Sequence, residues 1–153
     1  MNAQPLEDTP ALLIACPHCH TLVRTPQARL NDQPTCARCK EPVLSGKPVN
    51  LDAATFATHA HNATFPVLMD FWAPWCGPCR AMTPVLDRVA SELASSVQVG
   101  KLNTDENQDI AARLGIRSIP TLILFRAGQE IARRSGSVDF GSTARWIQDS
   151  LAK

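Results

Sequence analysis

Six cysteines carry most of the chemistry open to this chain of 153 residues, and they fall into three Cys-x-x-Cys pairs: Cys16/Cys19, Cys36/Cys39 and Cys76/Cys79. Sixteen residues separate the first two pairs, giving Cys-x2-Cys-x16-Cys-x2-Cys. Each such pair forms a tight knuckle that aims two sulfurs at one point, and a tetrahedral Zn2+ closes two knuckles together. Cys16, Cys19, Cys36 and Cys39 are therefore the candidate ligands of one structural zinc, with two internal disulfides or four idle thiols as the alternatives. His18 and His20 flank Cys19 as possible substitute ligands, but four thiolates already fill the site, which leaves them as exposed or supporting histidines. The third pair stands alone. A half-zinc site there would need two further ligands, whereas a lone dithiol suits redox exchange, in which a thiolate attacks a disulfide.

The elements around Cys76 and Cys79 suit that chemistry. Phe65 to Trp72 is an apolar run bounded by turn residues, the signal of a buried strand. After Cys79, Met82, Val85, Leu86, Val89 and Leu93 recur at helical spacing, and Pro84 is expected to kink that helix. Cys76 then sits at a helix N-terminus, where unpaired amides and the helix dipole stabilise a thiolate. As the first and more exposed residue, Cys76 is the expected nucleophile; Cys79, one turn inward, is expected to resolve the mixed disulfide. Gly77 permits close approach of a substrate backbone, and Pro78 stiffens the first turn. Asp70 is an acid inside the apolar strand, where burial raises its pKa. It is either a general acid/base taking the proton of Cys79 or a structural acid bonded to a backbone amide or a lysine. Lys101, alternating with Val97 and Val99 on a third strand, is its expected ion partner, or else a surface lysine at a strand end.

Residues 1 to about 11 read as a loose tail or a short lead-in strand. The cysteine-paired segment, roughly 35 residues, is too small to build a sufficient core without a metal or crosslinks. Turn residues over Leu44 to Pro48 mark a boundary, giving a ribbon over residues 1–46 and a larger domain over 47–153, joined by a linker with few contacts. On that reading, metal loss unfolds only the ribbon. In the larger domain the expected order is a strand at Val49–Leu51, a helix capped by Asp52 and running to about Asn62, and strands over 67–72 and 97–103. A short helix over 107–114 ended by Gly115, a strand over 120–125, a turn at Ala127-Gly128 and a strand over 129–134 complete the sheet pattern. An amphipathic helix over 139–151 closes the chain, with Phe140, Trp146, Ile147 and Leu151 inward. Strands alternating with helices before a terminal hairpin imply an α/β domain with a mixed central sheet. A net charge of +1 gives no reason to expect nucleic-acid or membrane partners, and no apolar stretch has the length of a membrane span. Glu7 and Asp8 without a basic region argue against a secretory signal, and paired thiols suit a reducing, cytoplasmic setting.

These residues carry a family resemblance. Asp70-Phe71-Trp72-Ala73-Pro74-Trp75-Cys76-Gly77-Pro78-Cys79-Arg80 resembles the thioredoxin active site nearly residue for residue, with Arg80 standing where many relatives have lysine. Further matches are Pro84, Lys101 to Asp105, Gly115 to Thr121, Gly128 and Gly136, so the likeness covers about residues 48 to 153. With its paired N-terminal knuckles, the chain is similar to the zinc-containing thioredoxin-2 type of bacterial thioredoxins. The resemblance implies a thioredoxin fold with a small zinc ribbon, and a monomeric protein-disulfide reductase serving electron transport. It implies client proteins with disulfides, and an NADPH-dependent thioredoxin reductase as the source of electrons. It implies further a cis Ile119-Pro120 bond beside the dithiol, a substrate groove bordered by Trp75, Ile119, Pro120 and Gly136, and Asp70 as the buried acid. A zinc-dependent redox-sensing or partner-binding module, with the larger domain as effector, is the second reading. An oxidase or isomerase is a third, disfavoured because Gly77-Pro78 resembles the reducing members.

Overall fold

The computed structural model describes residues 10–153. The lead-in segment, with Glu7 and Asp8, lies outside the described residues up to residue 9. Among the described residues no helix is long and apolar enough to cross a membrane.

The ribbon is a two-stranded antiparallel sheet, β1 (Ala11–Ala15) with β2 (Leu22–Pro26). The turn between them is the first knuckle, where the Cys16 amide donates to the Thr21 carbonyl and the His20 amide to the Cys16 carbonyl, both at 2.9 Å. The second knuckle repeats the pattern: the Cys36 amide donates to Glu41 at 2.9 Å and the Lys40 amide to Cys36 at 2.8 Å. In each, the residue after the second cysteine adopts a left-handed backbone, His20 at φ 64° and Lys40 at φ 69°.

The larger unit is a five-stranded sheet in the order β3-β5-β4-β6-β7, formed by β3 (Val49–Leu51), β4 (Val67–Trp72), β5 (Gln98–Asn103), β6 (Thr121–Arg126) and β7 (Gln129–Ser135). β3, β5 and β4 are parallel, while β6 and β7 run antiparallel, which is the mixed sheet expected. Alternation along β4 sends Val67, Met69 and Phe71 to one core, with Leu102, Ile110 and Phe125. It sends Leu68 to the other, against α1 (Gly77–Glu92) and α3 (Phe140–Leu151). Asp70 shares the second face, toward the buried α1 stripe of Cys79, Met82, Leu86 and Val89. A short helix α2 (Gln108–Arg113) covers the first face. In α3, Ile147 is fully buried and Phe140, Trp146 and Leu151 pack at the edge of the same core.

Three local features differ from the expectations. Cys76 is the N-cap of α1 rather than its first residue, because its side chain accepts the Cys79 amide. Asp52 does cap its segment, its Oδ1 accepting from Ala54 and Thr55 at 3.0 and 3.1 Å, but the segment ends in a wide π-turn over Thr58–Asn62. That turn carries His59 into the interior at 1 % exposure. The junction with the ribbon is also not contact-poor: the Leu13 amide donates to Thr64 Oγ1 at 2.7 Å, and Phe65 packs among Ile14, Cys16, Cys36 and Val43. The hairpin turn is as expected, with Ala127 at φ 52° and Gly128 at φ 82°; a Cβ at Gly128 would meet the His61 carbonyl oxygen at 2.8 Å.

Candidate active site and metal centre

Strand β4 ends by delivering the loop Ala73-Pro74-Trp75 to the N-terminus of α1. The Cys76 amide donates back to the Ala73 carbonyl at 3.2 Å, which turns the chain into the helix. Cys76 and Cys79 are joined as a disulfide, so the structure is that of the oxidised protein. The Cys79 amide donates to Cys76 Sγ at 3.1 Å. A backbone donor already aimed at this sulfur stabilises the thiolate formed on reduction, as does the helix N-terminus it caps.

Three further segments converge on the pair. The Ile119 carbonyl oxygen lies 3.8 Å from Cys76 Sγ, and the Ile119-Pro120 peptide bond is cis. Ile119 packs with Trp72, Ala73, Cys76 and Cys79, and the Gly136 amide donates to the Pro120 carbonyl at 2.9 Å. Gly136 takes φ 94°, a backbone that favours glycine. Gly77 and Pro78 lie exposed beside the pair, and Trp75 is 67 % exposed. The expectation that Cys76 is the more exposed sulfur-bearing residue is not met: both cysteines are 4 % exposed, covered alike by the cis-proline loop and the β4–α1 turn. Sequence reasoning missed two contacts here. The Trp75 indole N–H donates to Asp105 Oδ2 at 3.0 Å, which fixes the exposed ring, and Arg80 Nη2 donates to the Pro74 carbonyl at 2.9 Å. Trp75 and Asp105 stand 30 positions apart, so no local spacing signals the first of these.

Asp70 is 1 % exposed and neither carboxylate oxygen has a hydrogen-bond partner. Burial pushes its pKa from 3.8 up to about 7, opposed in part by the positive charge of Lys101. The reading of Asp70 as an acid bonded to a backbone amide therefore fails. Lys101 is its neighbour in the β4–β5 register, yet the two form no ion pair; the lysine Nζ instead lies 5.2 Å from the centroid of the Trp72 ring. Lys101 thus acts on Asp70 through space rather than by contact.

In the ribbon, the sulfurs of Cys16, Cys19, Cys36 and Cys39 all lie within 4.8 Å of one another. Cys16 and Cys39 are 3.5 Å apart and Cys19 and Cys36 are 3.7 Å apart, so no disulfide joins them. Four sulfurs held about 2.3 Å from a tetrahedral Zn2+ would be separated by about 3.8 Å, so the set fits the ion. Hydrogen bonding from Thr21 holds the Cys19 thiol below its ordinary pKa. Cys39 moves the other way: although the Glu41 amide lowers it, burial and the neighbouring sulfurs together outweigh that bond. Four sulfurs this close ionise together only when a cation shares their charge. The His18 amide donates to Cys16 Sγ at 3.5 Å while its ring is exposed. His20 turns away from the sulfurs, with Nδ1 2.9 Å from His59 Nε2. Neither histidine belongs to the four-sulfur cluster.

Comparisons with known proteins agree with this geometry. The thioredoxin family profile matches residues 47–149, and that of the N-terminal region of thioredoxin 2, a zinc ribbon, matches residues 15–41. Thioredoxin from Pyropia yezoensis is 54 % identical over 99 residues, covering 65 % of this chain and 92 % of the relative. Thioredoxin C-3 of Corynebacterium nephridii is 34 % identical over 140 residues, covering 92 % of this chain and 96 % of the relative. Among solved structures, a mutant thioredoxin from Halobacterium salinarum NRC-1 superposes with a TM-score of 0.63 at 30 % identity, over 69 % of this chain and 91 % of that one. With a lone redox disulfide capping a helix beside a cis-proline loop, and a match to the family across most of its length, the chain belongs to the thioredoxin family of protein-disulfide oxidoreductases.

Proposed function

We propose that in this disulfide oxidoreductase Cys76 is the nucleophile and Cys79 the resolving thiol. The Cys76 thiolate attacks one sulfur of a client disulfide; a Cys76–client bond forms, and the other client sulfur leaves as a thiolate. Cys79 then attacks Cys76 Sγ, giving the intramolecular disulfide and releasing the second client sulfur. Asp70, titrating near neutrality, accepts the Cys79 proton as that attack develops. Lys101 favours the Asp70 carboxylate and so sets where the acid switches. Two electrons from an NADPH-dependent thioredoxin reductase return the pair to the dithiol, which makes the protein a cytoplasmic carrier in electron transport, acting as a monomer.

Clients bind over Trp75, Gly77, Pro78, Ile119, Pro120 and Gly136, where the exposed ring and the cis-proline loop border the disulfide. The ribbon, residues 1–46, holds one structural Zn2+ on Cys16, Cys19, Cys36 and Cys39; residues 47–153 form the redox domain. Bound there, the ion would supply charge compensation and crosslinking, while catalysis stays with Cys76 and Cys79. The observation that carries the role assignment is the Cys79 amide donating to Cys76 Sγ at 3.1 Å: one sulfur is stabilised as an anion and the other sits on the inward face of α1. Insulin-disulfide reduction tests it. Cys76→Ser should abolish turnover, and Cys79→Ser should trap clients as mixed disulfides; trapping by the Cys76 variant instead reverses the roles.

A further inference from the structure

Inside the junction between ribbon and sheet runs a hydrogen-bonded chain whose sense follows from Gln98. Gln98, at the start of β5 and 7 % exposed, donates from Nε2 to the carbonyls of Ala15 at 3.0 Å and Val43 at 3.4 Å. Its Oε1 is therefore an acceptor, and His59 Nδ1, 3.3 Å away, carries a proton. Burial holds His59 neutral, with a pKa lowered to about 4, so its Nε2 offers a lone pair. His20 Nδ1, 2.9 Å from that nitrogen, is then the donor. The chain reaches the ribbon at three points: Ala15 immediately precedes Cys16, His20 immediately follows Cys19, and Val43 lies just beyond the second knuckle.

We propose that His59 and Gln98, both in the redox domain, are positioning residues for the metal centre. They hold the start and end of the first cysteine knuckle, and the exit of the second, in the geometry that brings four sulfurs together. The proposal rests on the assignment of zinc to those sulfurs. The π-turn over Thr58–Asn62 is what makes the contact: it places His59 between the sheet and the ribbon, where an exposed helical residue could not reach. Losing His59 leaves the Gln98 carbonyl and the His20 ring without partners in a buried junction, and the first knuckle free to splay. Supporting partners of metal ligands typically change metal affinity by about 10–100-fold. The ribbon's hold on its metal is accordingly set in part by side chains of the other domain.

Competition with a chromophoric chelator, on the full-length zinc-loaded chain, measures this directly. His59→Leu and Gln98→Leu should each lower zinc affinity by about tenfold or more. His59→Gln, which can both donate and accept, should restore most of it. His20→Asn tests the outer end with little risk to folding, since Asn tolerates a left-handed backbone but is too short to reach His59. It should also weaken zinc, and combining it with His59→Leu should add little to the loss from His59→Leu alone. Insulin reduction by each variant should stay near wild type, showing that the redox domain is folded. Unchanged zinc affinity in His59→Leu and His20→Asn, or equal losses in His59→Leu and His59→Gln, would overturn the relay. A wild-type chain without stoichiometric zinc would overturn the metal assignment and the relay together.

Discussion

Replacing Asp70 by Asn should stabilise the oxidised protein, and the gain should depend on pH. The carboxyl is buried without a hydrogen-bond partner, and its pKa moves from 3.8 to about 7. A folded-state pKa above the unfolded one means that the fold holds this proton more tightly than the unfolded chain does. The stability tied to Asp70 is therefore fully present below pH 3.8 and is lost as pH rises through about 7. A shift of about 3 units corresponds to about 4 kcal/mol of cost above neutrality, accruing at about 1.4 kcal/mol per pH unit. Asn keeps the shape and the unpaired polar atoms, so only the cost of ionisation is removed. Urea unfolding of the oxidised, zinc-loaded chain at a series of pH values reads this out. At an m-value of about 2 kcal/mol/M, the midpoint of the variant should exceed that of wild type by roughly 2 M at pH 8 or so, and by about half as much near pH 5.5. The same variant should exchange disulfides more slowly at and above about pH 7, where ionised Asp70 can accept the Cys79 proton, with the deficit shrinking as the acid protonates at lower pH. A gain that is equal at every pH, or a loss of stability, would refute the claim that Asp70 ionises against its surroundings.

Lys101→Gln removes the cation that opposes burial, so the pH midpoint of the Asp70-linked stability loss should move above about 7; a downward shift would contradict the through-space role. Asp139→Ala deletes the cap that accepts the Ser142 amide at 2.7 Å, and should lower the urea midpoint while leaving disulfide exchange unchanged. Chelating the ribbon's metal should raise the reactive thiols of the reduced protein from two to all six cysteines. It should also lower the melting temperature of the redox domain by several degrees, because Phe65, His59 and Gln98 lose their cover. An unchanged melting temperature would mean that the ribbon is only loosely attached.

Much of this architecture was legible in the sequence because its signals are local. The apolar run of β4, the helical recurrence from Met82 to Val89 and the doubled glycine-type turn at Ala127-Gly128 each determine their own element. Both knuckles were readable from spacing alone, since a metal site needs its ligands at fixed intervals. What escaped depends on packing between distant segments. Phe56 to Asn62 has a spacing compatible with an ordinary helix; only the structure shows the wide turn that buries His59 against Gln98, 39 residues away. His20 read as an exposed or supporting histidine with no identified partner, because that partner, His59, lies 39 residues away in the other domain. Strand alternation did bring Lys101 beside Asp70, but a long side chain has a choice of partners, and this one extends over Trp72. The equal burial of Cys76 and Cys79 was likewise invisible, because the segment that covers both arrives from Ile119.

The central claim is that the Cys76–Cys79 pair is built to give electrons away. Equilibrating the zinc-loaded full-length chain with a glutathione or dithiothreitol redox buffer, and counting the thiols at those two positions, yields their reduction potential. A reductase of this kind should lie at about −270 mV, and a value at about −120 mV, that of a strong oxidant, would contradict the account.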